Sequence, residues 1–267
     1  MGKKRVLVVT QEMSPYTTDS DIAEIANKLP QYIQDQGMEL RILMPRYGLI
    51  NERRHRLHEV VRLSGMNIIV NDDDFPLIIK VASLPNSRMQ VYFLENDDFF
   101  KRKALFKEED GSAFEDNPDR MAFFCKGVLE TVKKFGWSPD IIHCHGWLTA
   151  LVPFYIRTAY KTEPIFQNSK IIYSVYDGEE RFPNVGFVEK ALSVHANLSD
   201  LAPYISGDVV TPHNGAIAYA DGLIKGSENL PEDVEKALNT AEKPYVEFYD
   251  SSNYLPAYFD LYKQLLD

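Results

Sequence analysis

Apolar positions in this chain recur in two alternating patterns, and their order predicts a layered α/β fold. Arg5–Thr10 is a continuous, β-branched apolar run, as expected of a strand buried on both faces. From about Ser20 to Gln36, residues Ile22, Ile25, Ala26, Leu29 and Ile33 recur at helical spacing. Gly37 follows as a helix stop and Glu39–Met44 reads as the next strand. The opening is therefore a βαβ unit with a right-handed crossover, and Pro30 predicts a kink or an early end to its helix. Between 54 and 95 the pattern changes to short strands near Leu57–Leu63, Asn67–Val70, Leu77–Ala82 and Gln90–Phe93. They are separated by turns at Gly65, Asn71–Asp74 and Pro85-Asn86, which predicts an antiparallel hairpin insertion.

The α/β rhythm then resumes. Helices are predicted at about Asn117–Phe135 and Trp147–Tyr160, and strands at Asp140–Cys144 and Lys170–Val175. Asp208–Val210, a helix near Gly215–Ala220 and Gly222–Lys225 continue the alternation. Pro231 opens a short helix, and Tyr254–Leu266 forms a last one with a Leu255, Phe259, Tyr262, Leu266 stripe. The expectation is one Rossmann-like α/β domain over 1–267 with a mostly parallel sheet.

Composition narrows the partners. Among 267 residues, 29 Lys and Arg stand against 39 Asp and Glu, a formal charge of −10 that disfavours nucleic acid and anionic membranes, although local basic patches remain open. No run is long and apolar enough to span a bilayer. Two cysteines, Cys125 and Cys144, lie in apolar contexts, which points to reduced thiols and a cytoplasmic protein without a disulfide.

Ligands of an open parallel sheet sit beyond the carboxyl ends of its strands, which directs attention to Gln11–Asp21, His145–Trp147, Tyr176–Glu180 and the loop after Leu94. The first loop, Ser14–Asp21, has no glycine with which to cradle a phosphate. Its carboxylates Asp19 and Asp21 read as groups that cap the helix, and they oppose an incoming pyrophosphate by about 4 kcal/mol per charge pair at about 4 Å in an effective dielectric of about 20. His143 and His145 share one side of a strand, but no third metal ligand is apparent; the readings weighed are a metal pair, or a buried His143 with a cleft-lining His145. Cys144 reads as core packing. Asp177-Gly178-Glu179-Glu180 is either acid/base chemistry or a solvated turn. The C-terminal aromatic positions from Tyr245 to Tyr262 read as core and helix docking.

At these residues the chain resembles the N-terminal domain of bacterial glycogen synthases and plant starch synthases, the family 5 glycosyltransferases of GT-B fold. Val6–Pro15 resembles their opening strand and S-S-E-x-x-P loop, Asp21–Pro30 their L-A-D-V-x-G-A-L-P helix, and Arg41–Tyr47 their V-R-V-x-L-P-x-Y. Asp116–Cys125 resembles D-N-x-x-R-F-x-F-F-S, Pro139–Pro153 resembles P-D-I-V-H-x-H-D-W-H-T-A-L-V-P, and Ile217–Asp221 the segment that ends in Y-A-D. The departures fall on the chemistry. The family's K-T-G-G phosphate loop stands here as Tyr16-Thr17-Thr18-Asp19, and the aspartate of H-D-W-H as Gly146. The histidine and asparagine of T-I-H-N stand as Tyr176 and Asp177, and the loop tyrosine as Phe106, while Glu12, His145 and Trp147 persist.

The resemblance implies a sugar cleft lined by Glu12, Tyr16, Phe106, His145, Trp147, Tyr176 and Asp177, with Glu12, Gly146, Tyr176 and Asp177 at the family's functional positions. It also implies that the second GT-B domain, which holds the donor, has no counterpart in 222–267, and that 254–266 resembles the helix returning to the first domain. The expected function is a starch or glycogen synthase-like protein of α-1,4-glucan metabolism, without autonomous glucosyltransferase activity, that acts as a glucan-binding or regulatory homologue. Its expected partner is an α-1,4-glucan or malto-oligosaccharide, with no cofactor and no metal. One rival is a glucosyltransferase using ADP- or UDP-glucose whose donor half comes from another chain. Another is a hydrolase built on Glu12, His145, Asp177 and Glu179.

Overall fold

The computed structural model describes every residue except 1, 19, 86, 88, 193–195, 251 and 252, so the expected cap at Asp19 and turn at Asn86 lie outside the described residues. In chain order the first elements are β1 (Arg5–Thr10), α1 (Asp21–Asp35), β2 (Glu39–Pro45), α2 (Glu52–His55), β3 (His58–Glu59), β4 (Met66–Val70), β5 (Asp73–Ser83) and β6 (Gln90–Glu95). They are followed by α3 (Asp97–Phe100), α4 (Asn117–Phe135), β7 (Ile141–His145), α5 (Leu151–Arg157), β8 (Lys170–Val175), β9 (Phe182–Pro183) and α6 (Phe187–Ala191). The chain closes with β10 (Ile205–Ser206), β11 (Val209–Val210), α7 (Pro212–Tyr219), β12 (Gly222–Lys225), α8 (Glu232–Thr240), β13 (Tyr245–Val246) and α9 (Tyr254–Leu266).

The main sheet runs β13-β12-β8-β7-β1-β2-β6-β5-β3, with β4 on β5. β1 lies at its centre, parallel to β2 on one side and β7 on the other, and its Val6–Val9 are wholly buried. The chain leaves β1 toward β2 and later returns on the far side as β7, so the topological switch falls between β1 and β7. The loops that begin at Gln11 and Gly146 therefore open over one crevice. This is the expected mostly parallel α/β architecture.

Several boundaries differ from the expectation for identifiable reasons. α1 runs through Pro30 to Asp35 rather than ending there. An interior proline costs about 3 kcal/mol, whereas burying each of Ile22, Ile25, Leu29 and Ile33 returns roughly 1.5–3 kcal/mol, so packing prevails. The strand expected at Gln90–Phe93 pairs parallel with β2 and so belongs to the main sheet; β5, β4 and β3 form the antiparallel extension of its edge. Asp208–Val210 does not continue the main sheet. Val209 and Val210 turn back on β10 through Gly207-Asp208, a two-residue loop with Gly207 at φ +60°, and form a separate sheet with β9. The helix expected over Trp147–Tyr160 is a 3-10 turn at Trp147–Thr149 followed by α5. α4 and α9 span the expected residues.

α4 carries a buried lysine. Lys126 Nζ donates to three backbone carbonyls, Ile69 O at the end of β4 (3.1 Å), Lys190 O in α6 (3.2 Å) and Leu192 O (3.1 Å). A single ammonium thus ties the hairpin extension and the 187–192 segment to one helix. Replacing it with a residue of similar reach and no donors, Lys126→Met, is expected to cost about 2–4 kcal/mol, because buried acceptors lose their donor. Chemical denaturation measures this, and an unchanged midpoint would show that the tie contributes nothing.

Candidate functional site

The loop after β1 is folded onto itself. Gln11 Nε2 donates to Glu12 Oε1 (3.0 Å), and Ser20 Oγ donates to Glu12 Oε2 (2.9 Å) while accepting from Ala23 N (3.1 Å) as the N-cap of α1. Ser20, and not a carboxylate, is thus the cap. Thr17 Oγ1 accepts from Met13 N (3.1 Å), which closes the turn. Tyr16 does not line a cleft: it is buried edge-on against Phe93 and His55, and its phenol donates to Ser83 O.

At the end of β7, His143 and His145 stack with ring centroids 3.9 Å apart, and neither is exposed. His143 Nδ1 bonds the Tyr262 hydroxyl of α9 (2.6 Å), and its Nε2 bonds Ser174 Oγ of β8 (2.7 Å). His145 Nδ1 bonds the Tyr176 hydroxyl (2.8 Å), and its Nε2 has no partner. His145 therefore belongs to the core and does not line a cleft, a correction that follows from Tyr176. The phenol ring lies directly against Gly226, where an added Cβ would sit 2.4 Å from Cε1. Asp177 is exposed, and its backbone and side chain both meet Ser227 Oγ (3.0 and 3.2 Å).

Gly146 has φ +85° and ψ 165°, a region that only glycine adopts with ease. A side chain there would strike Gln11, whose Cδ would lie 2.4 Å from the new Cβ. Gln11 Oε1 in turn accepts from Leu148 N (3.1 Å), so the glutamine side chain fills the space over Gly146 and pins the turn after β7. Trp147 is buried with Nε1 unpartnered, and Phe106 packs edge-on to it at 5.0 Å. The loop carrying Phe106 is held by Asn117 Nδ2 on Phe106 O (3.0 Å) and by an ion pair between Lys107 and Glu180 (3.1 Å).

Glu12, His145, Trp147, Tyr176, Gly146 and Phe106 thus converge beyond β1, β7 and β8, Asp177 stands outside them, and Tyr16 points elsewhere. Sequence reasoning passed over Gln11 and His213. His213 donates its backbone N–H to Glu179 Oε1 (2.5 Å), while its ring bonds Tyr173 Oη (2.7 Å) and Tyr176 O (2.9 Å). Its signal was Thr211-Pro212, a helix start that puts His213 in the first turn of α7. Glu179 also pairs with Arg181 (2.7 Å), so its carboxylate caps a helix, and Glu12 is likewise engaged at both oxygens. A hydrolytic acid and base would need those oxygens free.

The chain can now be compared with known proteins. Residues 5–240 match the family described as the starch synthase catalytic domain. Glycogen synthase of Pelodictyon phaeoclathratiforme is 41% identical over 174 residues, which cover 65% of this chain and 36% of that protein. Glycogen synthase of Chlorobium phaeovibrioides is 36% identical over 231 residues, covering 86% of this chain and 47% of that protein. The chain therefore spans less than half the length of these curated relatives. Among solved structures, the catalytic domain of starch synthase IV from Arabidopsis thaliana, bound to ADP and acarbose, superposes with a TM-score of 0.75 at 20% identity, over 92% of this chain and 51% of that one. Fold and strand-end loops define a Rossmann-like α/β domain. Within that class, the chain belongs to the starch synthase catalytic-domain family. Among the described residues no helix is long and apolar enough to cross a membrane.

Two predictions follow from the buried histidines and the glycine turn. Burial holds His145 down at about 3, and burial with His145 alongside holds His143 well below 6.5. The unfolded chain takes up these protons near pH 6.5 and the folded one only far lower, so the unfolded state binds more protons in between and stability falls as pH drops. Each histidine is expected to remove about 2 kcal/mol between about pH 7 and pH 5. Urea unfolding at the two pH values tests this, and His143→Asn should flatten the dependence by one histidine's share. Placing a carboxylate at this turn, Gly146→Asp, is expected to destabilise by about 2–4 kcal/mol through φ strain and the Gln11 clash. Adding Gln11→Ala should recover part of that loss but not all, and a neutral single variant in thermal melts would refute the coupling.

Proposed function

We propose that this chain is a starch or glycogen synthase-like protein of α-1,4-glucan metabolism that does not transfer glucose by itself and acts as a glucan-binding or regulatory homologue. One observation carries the reading. Tyr176, at the family's histidine position, fills the space between His145 and Gly226 with its own ring and uses its hydroxyl on His145. Charge stabilisation at a departing diphosphate needs donors aimed at open space, and here the Tyr176 hydroxyl and His145 Nδ1 are bonded to each other. The glycine-free loop at 14–20, closed by its own bonds, supports the same conclusion.

A second reading is that the chain is one half of a glucosyltransferase completed by another chain, with 254–266 as the element that docks back on this half. In its favour, His145 Nε2 and Trp147 Nε1 are buried without partners among the described residues. Such nitrogens are costly unless a partner arrives.

Calorimetric titration of the protein with maltoheptaose and, separately, with ADP-glucose tests both. Saturable heat from the glucan with none from the nucleotide sugar is expected. Binding of ADP-glucose by the isolated chain would overturn the first reading, and binding of neither ligand would remove the glucan role.

A further inference from the structure

The chain is acidic overall, yet one stretch is not. Arg53, Arg54, His55, Arg56 and His58 fall within six consecutive positions, from the short helix α2 to β3. Arg54, His55, Arg56 and His58 line one side of a cleft of about 680 Å³, and Ser83 and Ser87 line the other. Among the described residues no carboxylate contributes to its wall. Among the described residues, none of the ion pairs of the molecule involves Arg53, Arg54 or Arg56. The nearest candidate to neutralise them in sequence, Glu52, is used elsewhere: its Oε1 meets Lys80 Nζ at 2.8 Å and Arg46 Nη2 at 3.1 Å. Glu59 follows His58 along β3 and so faces the other side of that strand.

Unpaired guanidinium groups around a concavity are a recognition device for phosphate oxygens, which they bind in pairs of parallel N–H···O bonds. Ser83 and Ser87 add hydroxyls of a kind that completes such a shell. We propose that this cleft binds a compact organic phosphate carrying two or more negative charges. A compact ligand is favoured over a polyanion because the net charge of −10 repels any anion that extends past the cleft. None of the lining residues is among the converging strand-end residues, so the proposal does not rest on how they are read. One wall does connect with them: the His55 ring packs edge-on to Tyr16 at 5.0 Å, and Tyr16 belongs to the loop after β1.

The test titrates the whole chain with inorganic pyrophosphate and with fructose 1,6-bisphosphate by calorimetry at low ionic strength. Saturable one-to-one binding is expected for at least one probe. Arg54→Gln with Arg56→Gln should weaken it roughly tenfold or more, while Arg53→Gln, the loss of one charge outside the lining, should weaken it no more than about threefold. These arginines are exposed and make no ion pair, so unliganded melting should be unchanged in both variants. No saturable binding by either probe, or equal losses in the Arg53 variant and the double variant, would overturn the proposal. So would binding that survives the double change. Tighter binding to single-stranded DNA or to anionic phosphatidylserine vesicles than to either small probe would overturn the compact-ligand assignment.

Discussion

The stacked pair His143 and His145 is the constraint on which the centre of the molecule depends. Two imidazoles 3.9 Å apart in a sheet with no solvent contact cannot both be protonated, so the fold holds them neutral and gives their nitrogens partners from three directions. Tyr262 ties the pair to the terminal helix, Ser174 to the neighbouring strand, and Tyr176 to the loop over the strand ends. A neutral, desolvated ring pair is therefore both the lock for α9 and the floor beneath the candidate site. Its position at the switch between β1 and β7 means that changes in protonation and changes in site architecture act on the same few atoms.

Around that floor, side chains come in fitted pairs. Gly146 carries no side chain, and Gln11 occupies the volume and supplies the bond that fixes the following turn. Tyr176 fills the space beside His145, and Gly226 opposite it provides the room. The loop between β1 and α1 has no glycines, and Ser20, Thr17 and Glu12 satisfy its polar groups from within. A buried polar group without a partner costs about 1–3 kcal/mol, so substitutions at this depth persist when a neighbour absorbs them. Only His145 Nε2 and Trp147 Nε1 are left over among the converging residues. At α2 the surface differs in kind, since its arginines make no ion pair among the described residues of an acidic molecule.

Much of this was legible in the amino-acid order, and the limits are physical. The buried run at Arg5–Thr10, the stripe of α1, and the spans of α4 and α9 could be read because hydrophobic period and end signals agree there. The end of α1 before Gly37 could be read as well; only the early stop offered at Pro30 does not occur, because a propensity rule met a larger tertiary term. Val209-Val210 reads like any short strand, and only the positive φ of Gly207 turns it out of the main sheet. The family motifs located the converging loops, but side-chain direction lay beyond them. Tyr16 and His145 are named correctly as members of those loops and point into the core, since burial depends on what Phe93, His55 and Tyr176 do across the fold. Gln11 and His213 were missed because each matters through a partner distant in the chain.

The account stands or falls on whether the strand end is closed by the chain's own side chains. Long-range proton–nitrogen NMR of the His145 ring, followed from about pH 7 down to about pH 4, reads this directly. A closed site predicts one neutral tautomer throughout, with Nδ1 shifted by its bond to Tyr176 and lost to that shift in Tyr176→Phe. A ring that titrates near pH 6.5 in the folded protein would mean that water reaches it, and that the crevice between β1 and β7 is open.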